Sequence, residues 1–182
     1  HVVPWVKVPN GREAMSVMSD IFNNSPSEEL TIIGVTGTNG KTTTSYMIHR
    51  LLDLGHRRSG LIGTIKYDLK SDNEIEATRT TPEAIDLQNY LSQMISNGCC
   101  SAVMEVSSHA LSQSRTSHVH YDVGVFTNLS HDHLDYHGNM DRYFNAKKIL
   151  FDQLSNNEVK NNAVAVINSD DDWGRKLVHY LS

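Results

Sequence analysis

The sequence predicts an α/β fold in which helices flank a mostly parallel sheet, and three observations carry that prediction. Apolar runs of strand length alternate with segments whose apolar residues recur at helical spacing. One such run leads straight into a glycine-rich loop, and a helical pattern follows the loop. The 182 residues, 38% apolar and 20% charged, suffice for one domain with its own core.

Strand-like runs occur at Leu30 to Thr36, Gly60 to Ile65, Ser101 to Val106, Asp122 to Asn128 and Ala163 to Asn168. Among the intervening helical stripes, Ala14, Met18, Ile21 and Phe22 form the first, Met47, Leu51 and Leu54 the second, and Ala84, Leu87, Leu91, Met94 and Ile95 the third. Each is expected to face the core. Another helical face runs from Met140 through Tyr143, Phe144, Leu150, Phe151 and Leu154, and a last pattern (Trp173, Leu177, Val178, Leu181) is still running at the chain end. Residues 66–79 are polar without helical period and read as a hairpin or loop. Residues 1–10 read as a linker from a preceding domain, and residues 11–182 as one domain cut short at its C-terminal end. Such alternation covers both faces of a sheet and gathers ligands at the carboxyl ends of its strands.

Charge and composition exclude several roles. A net charge of -5 and a pI near 6.0 give no broad attraction for nucleic acid or anionic membrane. No apolar run approaches the roughly 20 residues that span a bilayer, and His1 to Asn10 lacks the basic and apolar blocks of a signal peptide. Cys99 and Cys100 are adjacent, which suits neither a disulfide framework nor a zinc site and fits a reducing compartment. The expectation is a cytoplasmic protein.

The chemistry begins at Gly37-Thr38-Asn39-Gly40-Lys41-Thr42-Thr43. Glycines let backbone N–H groups turn onto phosphate oxygens, the helix N-terminus adds partial positive charge, and Lys41 adds a full one. Thr42 then offers a hydroxyl to Mg²⁺. The usual GxxxxGK[ST] pattern has glycine at position 35, where this chain has Val35, and the glycines fall instead at Gly34, Gly37 and Gly40. Strand, loop, GKT and helix in that order predict a P-loop fold that binds ATP or GTP.

The run from Ser101 to Val106 is a buried-strand pattern with one acid, Glu105, near its carboxyl end. A buried carboxylate without a partner is costly. A Mg²⁺ held by Thr42 and Glu105 would neutralise it and bridge nucleotide phosphates; a core glutamate satisfied by hydrogen bonds is the alternative. The run from His131 to His137 is dense in ligand types, but the HxHxDH form of di-zinc hydrolases needs histidine at position 136, where Tyr136 stands. That leaves Mg²⁺ and substrate chemistry, or a solvated polar loop. At ~100° per residue, Lys147 points almost at the centre of the apolar helical face and Lys148 to its edge. Burial lowers a lysine's pKa toward a neutral, nucleophilic amine. Lys147 is therefore either modified or catalytic, or a snorkelling side chain paired with a carboxylate.

Taken together, TGTNGKTT at Thr36 to Thr43, TTPEA at Thr80 to Ala84, EVSSHAL at Glu105 to Leu111, NLSHDHLDYHG at Asn128 to Gly138 and AKKILF at Ala146 to Phe151 resemble the Mur ligases. The likeness runs from about Val3 to Leu177 and is greatest to the branch that adds the third amino acid of the peptidoglycan precursor. It implies a P-loop central domain of an ATP-dependent amide-bond ligase acting on UDP-N-acetylmuramoyl-L-alanyl-D-glutamate through an acyl phosphate. By the same resemblance, Lys147 matches a lysine carbamylated by CO₂. Thr42, Glu105, His133 and the Lys147 carbamate match the Mg²⁺ ligands, and Asn128 matches a residue near the transferred phosphate. Gly37 to Thr43 would bind the nucleotide, with Lys41, Asn128, His133 and Lys147 as the catalytic set.

Thr80, Thr81, Ser107, Gln113 and Arg115 match positions that grip the UDP-linked dipeptide, Arg115 opposing carboxylate or phosphate charge. From the residues alone, Thr80-Thr81-Pro82 also fits a helix N-cap with proline in the first turn, and Gln113 and Arg115 also fit exposed positions. The implied partners are that dipeptide and an amino acid, with no nucleic acid or membrane, and a monomer is expected. Two other readings remain. A folylpolyglutamate synthase-like ligase shares the P-loop and the acyl phosphate, although EVSSHAL and HDHLDYHG argue against it. A nucleotide-binding module without turnover is the other, because the family's uridine-binding and amino-acid-binding domains lie outside this sequence.

Overall fold

The computed structural model describes residues 3–72 and 75–182 and is built around β1 (Thr31–Thr36), the strand that leads into the glycine loop. Ile32, Ile33 and Val35 are all buried, as a strand covered on both faces requires. β1 pairs in parallel with β5 (Ser101–Glu105) on one side and β6 (Val123–Phe126) on the other, in a register that sets Val35 opposite Glu105. Beyond them lie β2 (Ser59–Ile62), next to β5, and β7 (Val164–Ile167), next to β6, also parallel. β3 (Lys66–Asp68) and β4 (Ile75–Glu76) extend the β2 edge antiparallel, giving the order β4-β3-β2-β5-β1-β6-β7. The hairpin expected at 66–79 is therefore present, with positions 73 and 74 outside the described residues.

Helix α3 (Lys41–Leu54) carries the chain from β1 outward to β2, whereas α5 (Ser108–Ser112) leads from β5 across to β6. Chain direction thus reverses at β1, and the carboxyl ends of β5, β1 and β6 open onto one crevice. On one face of the sheet, α4 (Ala84–Ser96), α7 (Met140–Ser155) and α8 (Asp172–Leu181) bury the larger core, including Leu87, Leu91, Met94, Phe144, Leu150, Phe151 and Leu177. On the other, α3 covers Ile33, Val35, Leu61 and Val103. α1 (Gly11–Phe22) packs on α4, and α2 (Pro26–Glu29) and α6 (Leu134–His137) are single turns. Residues 3–10 are exposed and carry neither helix nor strand. No helix among the described residues is long and apolar enough to cross a membrane.

The third stripe faces the core as expected, but the first two do not. Met18, Ile21 and Phe22 are 63–87% exposed, and Met47, Leu51 and Leu54 are 61–65% exposed. α3 carries a second stripe, Ser45, Ile48, His49 and Leu52, at the same spacing, and that one meets the sheet. α1 buries the small polar residues Ser16 and Ser19, together with Asp20. Coverage of the sheet is also incomplete: Val164 and Val166 of β7, on the α3 side, remain half exposed. β2 ends at Ile62 rather than at Ile65, which is exposed, and that early ending shapes the site.

Candidate functional site

The glycine loop leaves β1 at Gly37, whose φ of 145° lies in the region L side chains avoid. A Cβ there would collide with Thr127 Oγ1 and crowd the Asn128 backbone. Gly40, at φ 84°, opens α3 with no side-chain cap, so the first-turn N–H groups are free to receive an anion. The loop is braced from β6 and the segment after it. Thr38 N donates to Asn128 O (2.9 Å) and Asn39 N to Asn128 Oδ1 (3.0 Å), while Thr127 Oγ1 and Asn128 Nδ2 both donate to Asn39 O (2.7 and 3.1 Å). Asn128 therefore holds the loop in shape.

Lys41 Nζ folds back to donate to the carbonyls of Gly37 (3.0 Å) and Thr38 (2.9 Å). Burial lowers its pKa, against the opposing charges of Glu105 and Asp132. Thr42 Oγ1 donates to Glu105 Oε2 at 3.0 Å, which brings the expected P-loop hydroxyl and strand-end acid into contact. Glu105 is fully buried and forms no ion pair among the described residues; its other donors are Thr64 N (to Oε1, 3.0 Å) and Thr64 Oγ1 (to Oε2, 3.0 Å). A hydroxyl beside a buried carboxylate is an oxygen donor pair of the kind a hard cation such as Mg²⁺ takes. Thr38 to Thr43, Thr64, Thr80 and Glu105 line one cavity of about 260 Å³.

Lys147 is 1% exposed and donates to Gly37 O at 2.9 Å, the carbonyl that Lys41 also uses. Its ammonium lies 4.6 Å from the Tyr143 ring centroid, and Tyr143 Oη shares a 3.2 Å hydrogen bond with Thr38 Oγ1. Burial, followed by the positive charge of Lys41, lowers the Lys147 pKa to about 7, with Asp132 opposing. The snorkelling alternative is overturned, because Lys147 reaches a backbone carbonyl deep in the fold. Lys148 does sit at the helix edge, paired with Asp152 at 3.1 Å. His133 is half exposed, 3.5 Å from Asp132, with its ring edge-on to His109 (4.9 Å) and Tyr143 (6.1 Å). Thr42 and Glu105 are thus in contact, whereas His133 and Lys147 flank Tyr143. No group of three or more His, Cys, Asp or Glu side chains is gathered to hold a metal among the described residues. The polar run at 131–137 is only partly a solvated loop, since it closes in α6 and His137 turns inward, Nε2 to Ser108 Oγ at 2.9 Å.

Four of the five expected dipeptide positions, Thr81, Ser107, Gln113 and Arg115, form a second web beside this one. Thr81 Oγ1 donates to Glu105 O (2.8 Å) and receives Ser107 N (3.0 Å), and Arg115 Nη1 donates to Thr81 O (3.1 Å). Arg115 also donates to Gln113 Oε1 through Nε (3.1 Å) and Nη2 (2.6 Å), and pairs with Glu83 at 3.1 Å. The N-cap alternative fails, because α4 starts at Ala84 with Glu83 at its cap and no capping side chain. The exposed alternative fails for Arg115, which is only 9% exposed. Thr80 Oγ1 meets Thr64 Oγ1 at 3.1 Å.

Sequence reasoning missed Thr64 and the supporting role of Tyr143. Thr64 was absorbed into the strand run ending at Ile65; the signal available was Gly63-Thr64, a glycine breaking an apolar run at a strand's carboxyl end. Tyr143 fitted the apolar stripe of α7 and offered no separate signal.

Residues 35–182 match the model of the Mur ligase middle domain. The chain is 48% identical over 178 residues to the UDP-N-acetylmuramoyl-L-alanyl-D-glutamate--2,6-diaminopimelate ligase of Geobacillus thermodenitrificans, covering 97% of this chain and 36% of that protein. A solved structure of a ligase of the same name superposes with a TM-score of 0.79 at 34% identity, over 97% of this chain and 34% of that one. A Mycobacterium tuberculosis folylpolyglutamate synthase complexed with ADP and AMPPCP superposes at 0.66 with 16% identity, over 92% and 44%, and shares the fold alone. The chain spans about a third of the length of the curated relatives it matches.

Proposed function

The chain belongs to the Mur ligase family through its middle domain, and from that premise we propose that it is the ATP-binding part of a ligase. That ligase joins the third amino acid to UDP-N-acetylmuramoyl-L-alanyl-D-glutamate in peptidoglycan precursor synthesis. Residues 1–10 are read as a linker and 11–182 as the ATP-binding domain. Of L-lysine and diaminopimelate, the names of the relatives, 2,6-diaminopimelate ligases, favour the second as that amino acid. The observation that carries the reading is Thr42, at the uncapped start of α3, donating to the buried Glu105, which has no ion pair among the described residues, in the cavity that also holds Lys41.

In this reading the first-turn N–H groups of α3 and the Lys41 ammonium receive the β- and γ-phosphates. Lys41 exchanges its two loop carbonyls for phosphate oxygens, whose negative charge opposes the lowering of its pKa by burial. A side-chain carboxylate oxygen of D-glutamate attacks the γ-phosphorus in line, ADP leaves, and an acyl phosphate forms. The amine of the incoming amino acid then attacks the carbonyl carbon, inorganic phosphate leaves, and the amine proton is lost. Thr42 and Glu105 fit Mg²⁺, which when bound would offset charge on the phosphates. Asn128 keeps the loop rigid, so its donors are preorganised. Arg115 and Gln113, with Thr80, Thr81 and Ser107, would orient the dipeptide.

Lys147 and His133 are read as completing the cation site, Lys147 as its carbamate. CO₂ adds to the neutral amine and one proton leaves. What supports this is a fully buried amine on which the positive charge of Lys41 acts more strongly than the opposing Asp132: an anion at Nζ turns the repulsion from Lys41 into attraction.

Calorimetric titration of the chain with ATP, with and without Mg²⁺, tests the reading, followed by ADP release from the full-length protein given dipeptide and diaminopimelate. Mg²⁺-dependent binding that Lys41→Ala abolishes, and ADP release that needs both co-substrates, are the expected results. Near-normal turnover by Lys41→Ala, or turnover with folate and glutamate instead, refutes it.

A further inference from the structure

We propose that Thr64 is a positioning residue that couples the phosphate loop to the expected dipeptide positions by fixing the direction of a hydroxyl chain; the proposal rests on the function proposed above. Three observations meet at this residue. Its backbone N–H and its hydroxyl take one oxygen each of Glu105, both at 3.0 Å. Its hydroxyl also lies 3.1 Å from Thr80 Oγ1. It lines the same cavity as Lys41, Thr42 and Thr80. Thr64 can do this because β2 stops at Ile62, which leaves the Thr64 N–H outside the strand ladder.

Proton counting fixes the direction. A hydroxyl has one proton and two lone pairs, and an ionised carboxylate only accepts. Glu105 Oε2 takes the Thr64 proton, so in the contact with Thr80 the Thr64 oxygen accepts and Thr80 donates. The Thr80 proton is thereby committed inward. Thr80 then offers only lone pairs to the cavity and suits an amide N–H of a dipeptide rather than its carboxylate. Thr42 donates to the same Glu105 oxygen from the nucleotide side. Glu105 thus holds one hydroxyl from the phosphate loop and, through Thr64, the hydroxyl of Thr80 among the expected dipeptide positions, and a ligand that restrains the carboxylate on the loop side orders the acceptor at Thr80.

The test is calorimetry on the full-length protein, titrating UDP-N-acetylmuramoyl-L-alanyl-D-glutamate with and without a saturating non-hydrolysable ATP analogue and Mg²⁺. Wild type is expected to bind the dipeptide about fivefold or more tightly when nucleotide is present, a usual size for coupling. Thr64→Val keeps the shape and backbone N–H but loses the hydroxyl, and the coupling factor should fall from about fivefold to near one, a loss of the size of one hydrogen bond. Thr64→Ser should retain the coupling. Thr80→Val should lose it equally, with no further loss in the double variant, and it reads the same link should Thr64→Val not fold. Wild-type coupling in a folded Thr64→Val or Thr80→Val protein overturns this proposal alone, as does independent binding of the two ligands to wild type. Failure of wild type to bind the dipeptide at all overturns the proposed function and this inference together.

Discussion

Replacing Lys147 with methionine should stabilise the fold at neutral pH and remove part of its pH dependence. Lys147 is 1% exposed, and its pKa falls from the usual 10.5 to about 7, mainly through burial. Between those two values the unfolded chain holds a proton at this position that the folded chain releases. Stability therefore rises with pH through this window, and the full penalty is present below about pH 7. The gap of about 3.5 between 10.5 and about 7 corresponds to about 5 kcal/mol at 1.36 kcal/mol per pH unit. Against it stand the hydrogen bond to Gly37 O, worth about 1 kcal/mol, and the contact with the Tyr143 ring, worth about 1–2 kcal/mol. Methionine keeps the length of the side chain and forfeits both contacts. Urea unfolding of wild type and Lys147→Met, followed by circular dichroism in CO₂-free buffer, isolates Lys147, because the other titrating groups are common to both. From about pH 6.5 to about pH 9.5 the wild type should gain about 3 kcal/mol on the variant. Parallel stability curves would refute the assignment of a buried amine that titrates near neutrality.

Other consequences are smaller but separable. Gly63→Ala would bring a Cβ to 2.5 Å from Glu105 Oε1, so the carboxylate must move; we expect a loss of about 1–3 kcal/mol in chemical denaturation and weaker Mg²⁺-dependent nucleotide binding by calorimetry. Lys70 Nζ holds Asp53 (2.8 Å) and Asp68 (3.1 Å) together between α3 and β3. Burial alone would raise both carboxyls, but the hydrogen bonds and charge of Lys70, with backbone N–H groups, hold them below the usual range. That stability is present above their unfolded value near 3.8 and is lost as pH falls through the lower folded values. Lys70→Met should therefore move the midpoint of an acid-unfolding titration upward. Arg115→Lys keeps the charge but not the fork that reaches Thr81 O, Gln113 and Glu83. Steady-state kinetics of the full-length protein should show a raised KM for the dipeptide with the KM for ATP near wild type.

Legibility from the sequence followed the range of the interactions. The glycine loop was readable because its conformation is local: Gly37 and Gly40 supply positive φ, and the helix begins at the next residue. Lys147 was readable because six buried neighbours on α7 share one face, and a lysine at the centre of that face stands out whatever the helix packs against. The third stripe and all five parallel strands were legible for the same reason. Thr64 and Glu105 are 41 residues apart, and Lys147 and Gly37 are 110 apart, so no local pattern encodes those contacts.

The sequence by itself determined the strand–helix alternation, the glycine-rich loop and the candidates for its chemistry, since backbone propensity and periodicity act within a few residues. Only the tertiary structure decided which of two equally spaced stripes on α3 meets the sheet. Both are compatible with helix geometry, and the burying surface is made by strands from distant parts of the chain. It likewise decided that β2 stops early, so that Thr64 turns onto Glu105. Ending a strand is a competition between one more ladder hydrogen bond and the demand of a buried carboxylate for a donor, and the carboxylate enters only when β5 has docked beside β2.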